Sequence, residues 1–147
     1  MNESELKVLS DIEQYGLHII HILGEKELPP YSFSIGLFKS YNHPEIIFIG
    51  MDQQLSHSLI NNIASDIKNG EKFEANKYYP DIIERFDCYF VDVNKLNYKE
   101  YLGYANWYYE GYDYPVVQCI YPTTNGIYPW QSEWPENIKN LQPVLSQ

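Results

Sequence analysis

Basic residues are scarce in this 147-residue chain, which holds ten lysines and arginines against twenty acids, for a formal net charge of −10. Only one of the ten is an arginine, Arg85, and the lysines are scattered. Nucleic acids and anionic membranes recruit clustered cations, so neither is an expected partner. Cysteine is almost absent too. Cys88 and Cys119 each lie in an apolar, strand-like run and read as two buried free thiols rather than as a disulfide or redox pair. No apolar run approaches roughly 18 residues, and neither a signal-peptide pattern nor a basic amphipathic opening is present, so a soluble, cytoplasmic chain is expected. A Walker loop, a dinucleotide fingerprint, HExxH, paired CxxC and GxSxG are all missing. No catalytic residue, metal or cofactor is therefore assigned.

Aromatic residues are what the chain has in quantity, fifteen Tyr, six Phe and three Trp. Eleven of them fall between Tyr101 and Trp134. The stretch from Tyr98 reads as one helix in which Asn97 and Glu100 form a capping signature and Gly111 is the stop. Its apolar face holds Tyr98, Tyr101, Leu102, Ala105, Tyr108 and Tyr109, and Trp107 falls roughly opposite. Pro115–Tyr121 follows as a strand, and the Asn-Gly of TTNG predicts a hairpin into a second aromatic strand. Beyond Trp130, two prolines and the lack of a helical stripe predict an irregular C-terminal arm.

Earlier in the chain, Ser4–Tyr15 has the period of a short helix ended by Gly16, and LHIIHIL from Leu17 to Leu23 reads as a strand. His18 and His21 lie three apart on it and point to opposite faces, so they do not share a metal ion. In YSFSIGL, Tyr31, Phe33, Ile35 and Leu37 take one face while Ser32, Ser34 and Gly36 take the other. That small-residue face leaves room either for a close-packed helix or for a ligand beside the backbone. FKSYNHP, which contains His43, reads as a loop. EIIFIGM carries a continuous apolar run after Glu45 and predicts a central strand covered on both sides. Asp52 caps a helix lined by Leu55, Leu59, Ile63 and Ile67 and ended by Gly70, with His57 pointing away from the lined face. Glu71–Phe86 reads as a loop or short helix, and CYFVDV as a further strand.

The order LHIIHILGE, PPYSFSIGLF, HPEIIFIG, YLGYANWYY, YPVVQCIYPTTNGIYPW and QPVL resembles the bacterial family known as domain of unknown function 4262, over about Gly16 to Leu145. Phe33, Ser34, Ile35, Gly36 and Leu37 fill that family's aromatic-Thr-Val-Gly-Leu segment. Gln118, Tyr121, Pro122, Thr123, Gly126, Pro129 and Trp130 fill its late Gln-x-x-Trp-Pro-Asp-x-x-Gly-x-x-Pro-Trp segment, with Tyr121 replacing Trp and Thr123 replacing Asp. Any catalytic or metal role of that Asp would be lost here. The resemblance implies no particular activity.

These features predict one α+β domain over residues 1–147, with a mainly antiparallel sheet and helices packed against it. A folded chain of this mass is expected to expose roughly 7,900 Å². The leading functional expectation is an acidic protein-binding module, an immunity-type inhibitor of a basic toxin or of another basic partner. Trp107 and Tyr104 would be its aromatic anchors, with Glu110 and Asp113 as orienting charges. From Tyr101 onward the chain holds the acids Glu110, Asp113, Glu133 and Glu136 against one base, Lys139. The alternative is a small-ligand module built on Ser32, Ser34, Gly36 and His18 with an aromatic wall. Less favoured is a hydrolase in which Ser34 and His18 pair across neighbouring strands, for which no oxyanion hole is evident.

Overall fold

A computed structural model describes residues 1–147. The chain opens on α1 (Glu3–Tyr15), whose Asn2 and Glu5 cap each other's backbone N–H and whose end is Gly16 at φ +89°. There follow β1 (His18–Ile22), β2 (Tyr31–Ile35), α2 (Leu37–Tyr41), β3 (Glu45–Ile49) and α3 (Gln53–Lys68). The second half holds β4 (Lys77–Tyr79), β5 (Cys88–Asp92), α4 (Tyr98–Tyr101), α5 (Gly103–Tyr108) and β6 (Val116–Ile120).

The six strands form one sheet in the order β1-β2-β3-β6-β5-β4, antiparallel everywhere except between β3 and β6. Every residue of β3 is buried; the apolar run Ile46–Ile49 predicts this for a strand with neighbours on both sides and helices over both faces, and Glu45 is buried with it. The period of two then sorts the core. Phe33, Ile35, Ile47, Ile49 and Val116 meet Val8 and Ile12 of α1 and Tyr98, Leu102 and Ala105 of α4 and α5. Ile46, Phe48, Phe90, Val117 and Cys119 meet Leu59, Ile60, Ile63 and Ile67 of α3. Each Val, Leu, Ile or Phe side chain among them, fully buried, contributes about 1.5–3 kcal/mol. The architecture is α+β, and 8747 Å² of surface stays exposed. Cys88 and Cys119 are buried free thiols. No helix is long and apolar enough to cross a membrane.

Several local expectations are corrected. FKSYNHP is not a loop at its start, since Leu37–Tyr41 turns as α2 once Gly36, at φ +119°, has redirected the chain. The segment read as loop or short helix contains the edge strand β4, paired to β5 through Tyr78 and Tyr89. The aromatic helix is two pieces, broken where fully buried Leu102 is drawn into the core and Gly103, a poor helix former, follows. Asn97 does not cap it; its amide donates to the carbonyls of Leu145 and Gln147. The left-handed residue beyond α5 is Glu110, at φ +56°, with Gly111 N–H closing on the Asn106 carbonyl.

TTNG makes a turn in which the Thr123 hydroxyl accepts from the N–H groups of Asn125 and Ile127, yet no second strand follows. The reason is occupancy: β6 already pairs with β3 on one side and β5 on the other, so a hairpin partner has no edge to join. The rest of the chain is the irregular arm. Gln118, buried in β6, holds it by donating to the Pro143 carbonyl at 2.7 Å and accepting from Leu145 N–H at 2.8 Å.

A buried histidine gives the fold a pH response. His43 bonds the Pro44 carbonyl through Nδ1 and accepts the Phe73 N–H through Nε2, so protonation would set two donors against each other. Burial holds its pKa below the ordinary 6.5, and His21, also partly buried, shifts the same way. Groups with a depressed folded pKa stabilise above the unfolded pKa, and that stability is lost as pH falls through the folded pKa. Denaturant midpoints should therefore drop as pH is lowered from about 6.5. In His43→Gln, whose stability at neutral pH is lower, the drop should be visibly shallower.

Candidate functional site

The histidines of β1 part as their spacing predicts. His18 Nδ1 lies 2.7 Å from Asp11 Oδ2 on α1. His21 turns the other way, with Nδ1 2.6 Å from Ser32 Oγ and Nε2 3.0 Å from Nδ1 of His57 on α3. No three His, Cys, Asp or Glu side chains converge on a point that would hold a metal ion. The Ser34–His18 pair is not formed. Ser34 stands across from Ile19 and His18 from Ile35, while the cross-strand serine-histidine pair is Ser32 with His21. Ser32 is 2% exposed, so its hydroxyl is out of reach of a substrate.

Ser34 and Gly36 serve a group that sequence reasoning passed over. Glu45 is fully buried. Its Oε1 accepts from Ser34 Oγ at 2.7 Å and Leu37 N at 3.1 Å. Its Oε2 accepts from Gly36 N at 2.9 Å, Phe38 N at 3.2 Å and the Tyr109 hydroxyl. Burial pushes the carboxyl up from its ordinary value, and the bonds from Tyr109, Ser34, Phe38 and Gly36 oppose that push. Five donors and no acceptor face it, so the carboxylate works as a clamp joining β2, the first turn of α2, β3 and the end of α5. An acid at the head of an otherwise apolar central strand was the signal available in the sequence. The small-residue face is thus spent internally: Ser32 and Ser34 are buried on the side of the sheet that α3 covers, and Gly36 abuts the turn between α1 and β1.

Of the four residues expected to bind a partner, Glu110 and Asp113 are exposed, and Trp107 and Tyr104 are half-buried against the core with their rings edge to face at 6.3 Å. Three exposed aliphatic side chains lie together at the end of β1. Ile22 (38% exposed), Leu23 (76%) and Leu28 (57%) surround a notch of about 140 Å³ completed by Pro29, Tyr31 and Tyr101. Reciprocal backbone bonds between Glu25 and Leu28 fix the loop that carries it. Its only charged lining residues are Glu25 and Glu100. Tyr31 and Tyr101 pack edge to face at 5.1 Å, and burial, with Tyr101 and Glu100 nearby, pushes the Tyr31 hydroxyl up to about 12. An adjoining hollow runs from Ile22 to Tyr104 and Glu3. Tyr104 therefore lies on this surface, and Trp107 lines neither hollow.

A second exposed aromatic group lies at the opposite edge, where Tyr128 stacks on Trp130 and both approach Tyr78 or Tyr89. The Tyr128 hydroxyl donates to the Asp87 carbonyl there.

Residues 11–135 match the family described as Domain of unknown function (DUF4262). The chain belongs to that family. The match takes in Glu45, the notch and the Gln118–Trp130 segment, and it ends before the QPVL of the arm. No curated protein matches the chain, and no solved structure matches it.

Proposed function

We propose that this DUF4262 protein is a binding module for a basic protein, and that the notch at the end of β1 receives an apolar side chain flanked by lysine or arginine on the partner. The observation that carries this reading is the lining: exposed aliphatic and aromatic carbon with carboxylates as its only charges. Desolvating Leu23, Leu28 and Tyr101 would supply binding energy, while Glu25 and Glu100 would orient the partner and speed its encounter. The formal charge of −10 adds long-range attraction for the same class of partner. Relative to the sequence expectation, the anchor moves from Trp107 to Tyr101 and the aliphatic loop. An immunity-type inhibitor of a basic toxin is one form this activity would take.

The reading is tested with a photo-cross-linking residue at Leu23, a position whose exposure lets it be changed without disturbing the core, introduced in the native cell. A basic protein should be captured, and capture should disappear when Tyr101→Ala is added. With that partner purified, Tyr101→Ala should weaken binding by about 2 kcal/mol or more. Glu25→Lys with Glu100→Lys should chiefly slow association, by less at high salt. An acidic partner, or capture indifferent to Tyr101, would refute the assignment.

A further inference from the structure

β1 is an edge strand, and its free side lies at the bottom of a trough between α1 and α3, which cover opposite faces of the sheet. The trough encloses about 640 Å³. One wall is the stripe Lys7, Asp11 and Tyr15, spaced by four on α1, and the other is His57, Asn61 and Ser65, also spaced by four, continued by Lys68. Leu17, Ile19 and Tyr41 give it apolar surface.

Its charge runs against the rest of the molecule. Acids outnumber bases two to one along the chain, yet two lysines and two histidines line this hollow with a single carboxylate. That carboxylate is engaged, since Asp11 holds Lys7 Nζ at 3.0 Å with one oxygen and His18 Nδ1 at 2.7 Å with the other. Lys68 forms no ion pair and is exposed. Asn61 and Ser65 place neutral donors on the same stripe. His57 is held through Nδ1 by the His21–Ser32 chain, so the nitrogen not used in that contact is Nε2.

We infer that this trough binds a small organic anion, a phosphate or carboxylate group carried on a flat apolar or aromatic body. Lys68, with Asn61 and Ser65, receives the anionic group, and Tyr15, Tyr41 and Leu17 receive the body. None of these residues lines the notch, so this site and the protein-binding reading stand or fall separately.

The test is a titration of isotope-labelled protein, followed by amide NMR shifts, with phenyl phosphate, benzoate, inorganic phosphate and phenol. Phenyl phosphate or benzoate should move the amides of 17–19 and 61–68 together and saturate, and the tighter of the two identifies the headgroup. Lys68→Glu, a change at an exposed position, should weaken that binding at least tenfold with an unaltered denaturant midpoint. Tyr15→Ala should weaken phenyl phosphate more than inorganic phosphate. The site is disproved if phenol binds as well as phenyl phosphate, if Lys68→Glu binds like the unsubstituted protein, or if the shifts track scattered lysines elsewhere.

Discussion

Replacing Glu45 by alanine is expected to destabilise the protein by about 3–5 kcal/mol, the cost of stripping several buried donors of their acceptor at once. The backbone N–H groups of Gly36, Leu37 and Phe38 all end on this carboxylate, and they belong to the first turn of α2, where a helix has no carbonyls of its own to offer. Neither Ser34 nor Tyr109 has a free choice of replacement, because Ser34 Oγ already accepts the Ile46 N–H and Tyr109 the Lys39 N–H. Truncation would leave the three amides unpaired in a space water reaches poorly, and it would release the end of α5 from the sheet. Glu45→Gln should cost less, about 1–3 kcal/mol, because the hydroxyls can rotate to accept from an amide NH₂ whereas the backbone N–H groups cannot. Denaturant titration read by fluorescence of the three tryptophans would decide the matter. A loss under about 1 kcal/mol for alanine would mean that water enters and satisfies the shell, and that the carboxylate is not the clamp described.

What the sequence made legible was whatever depends on neighbours in the chain. α1 and α3 follow from a period near 3.6 with stops at Gly16 and Gly70, and β3 follows from an apolar run too short for a helix. The divergence of His18 and His21 is a local consequence of strand geometry. The features that stayed hidden depend on pairing between distant segments. Nothing near Ser32 says that residue 21 rather than residue 18 faces it, because that is set by the β1–β2 register. Nothing near Tyr121 says that both edges of its strand are taken, so an Asn-Gly turn signal pointed to a hairpin that the sheet excludes. The notch of the proposed binding surface was not foreseen for a related reason. Trp107 drew notice as the bulky residue opposite the helical stripe, but the helix breaks at Leu102 and Trp107 packs onto the edge of the core. Leu23, read as the end of a strand, and Leu28 beyond it looked unremarkable, and their exposure appears only once β1 and β2 have left them outside the sheet.

Substituting Gly36 by valine should be comparably damaging, with a loss of about 3 kcal/mol or more from two additive sources. The backbone there has φ +119°, a region that residues with a Cβ rarely adopt, and holding one in it costs about 1–3 kcal/mol. A Cβ would also lie 2.7 Å from the Gly16 carbonyl oxygen, 3.0 Å from Leu17 Cα and 3.1 Å from Ile12 Cγ1, and two of those three are backbone atoms with little freedom to move. Of the two sequence readings of this face, a close-packed helix or a ligand, the first would make valine cost about 1–3 kcal/mol by overpacking. The neighbour is instead the turn from α1 into β1, and relieving the clash means lifting that turn or withdrawing the Gly36 N–H from Glu45. Because the first added atom already meets backbone, Gly36→Ala should approach the valine variant in cost, which separates this mechanism from one governed by side-chain volume. A double-mutant cycle tests the link to the carboxylate. Gly36→Ala and Glu45→Ala should sum to clearly more than the double variant loses, since either one frees the start of α2. If Gly36→Ala were within about 0.5 kcal/mol of the parent, the turn would have to be soft enough to move aside, and the tight junction of α1, β1 and α2 would not be what holds this corner of the fold.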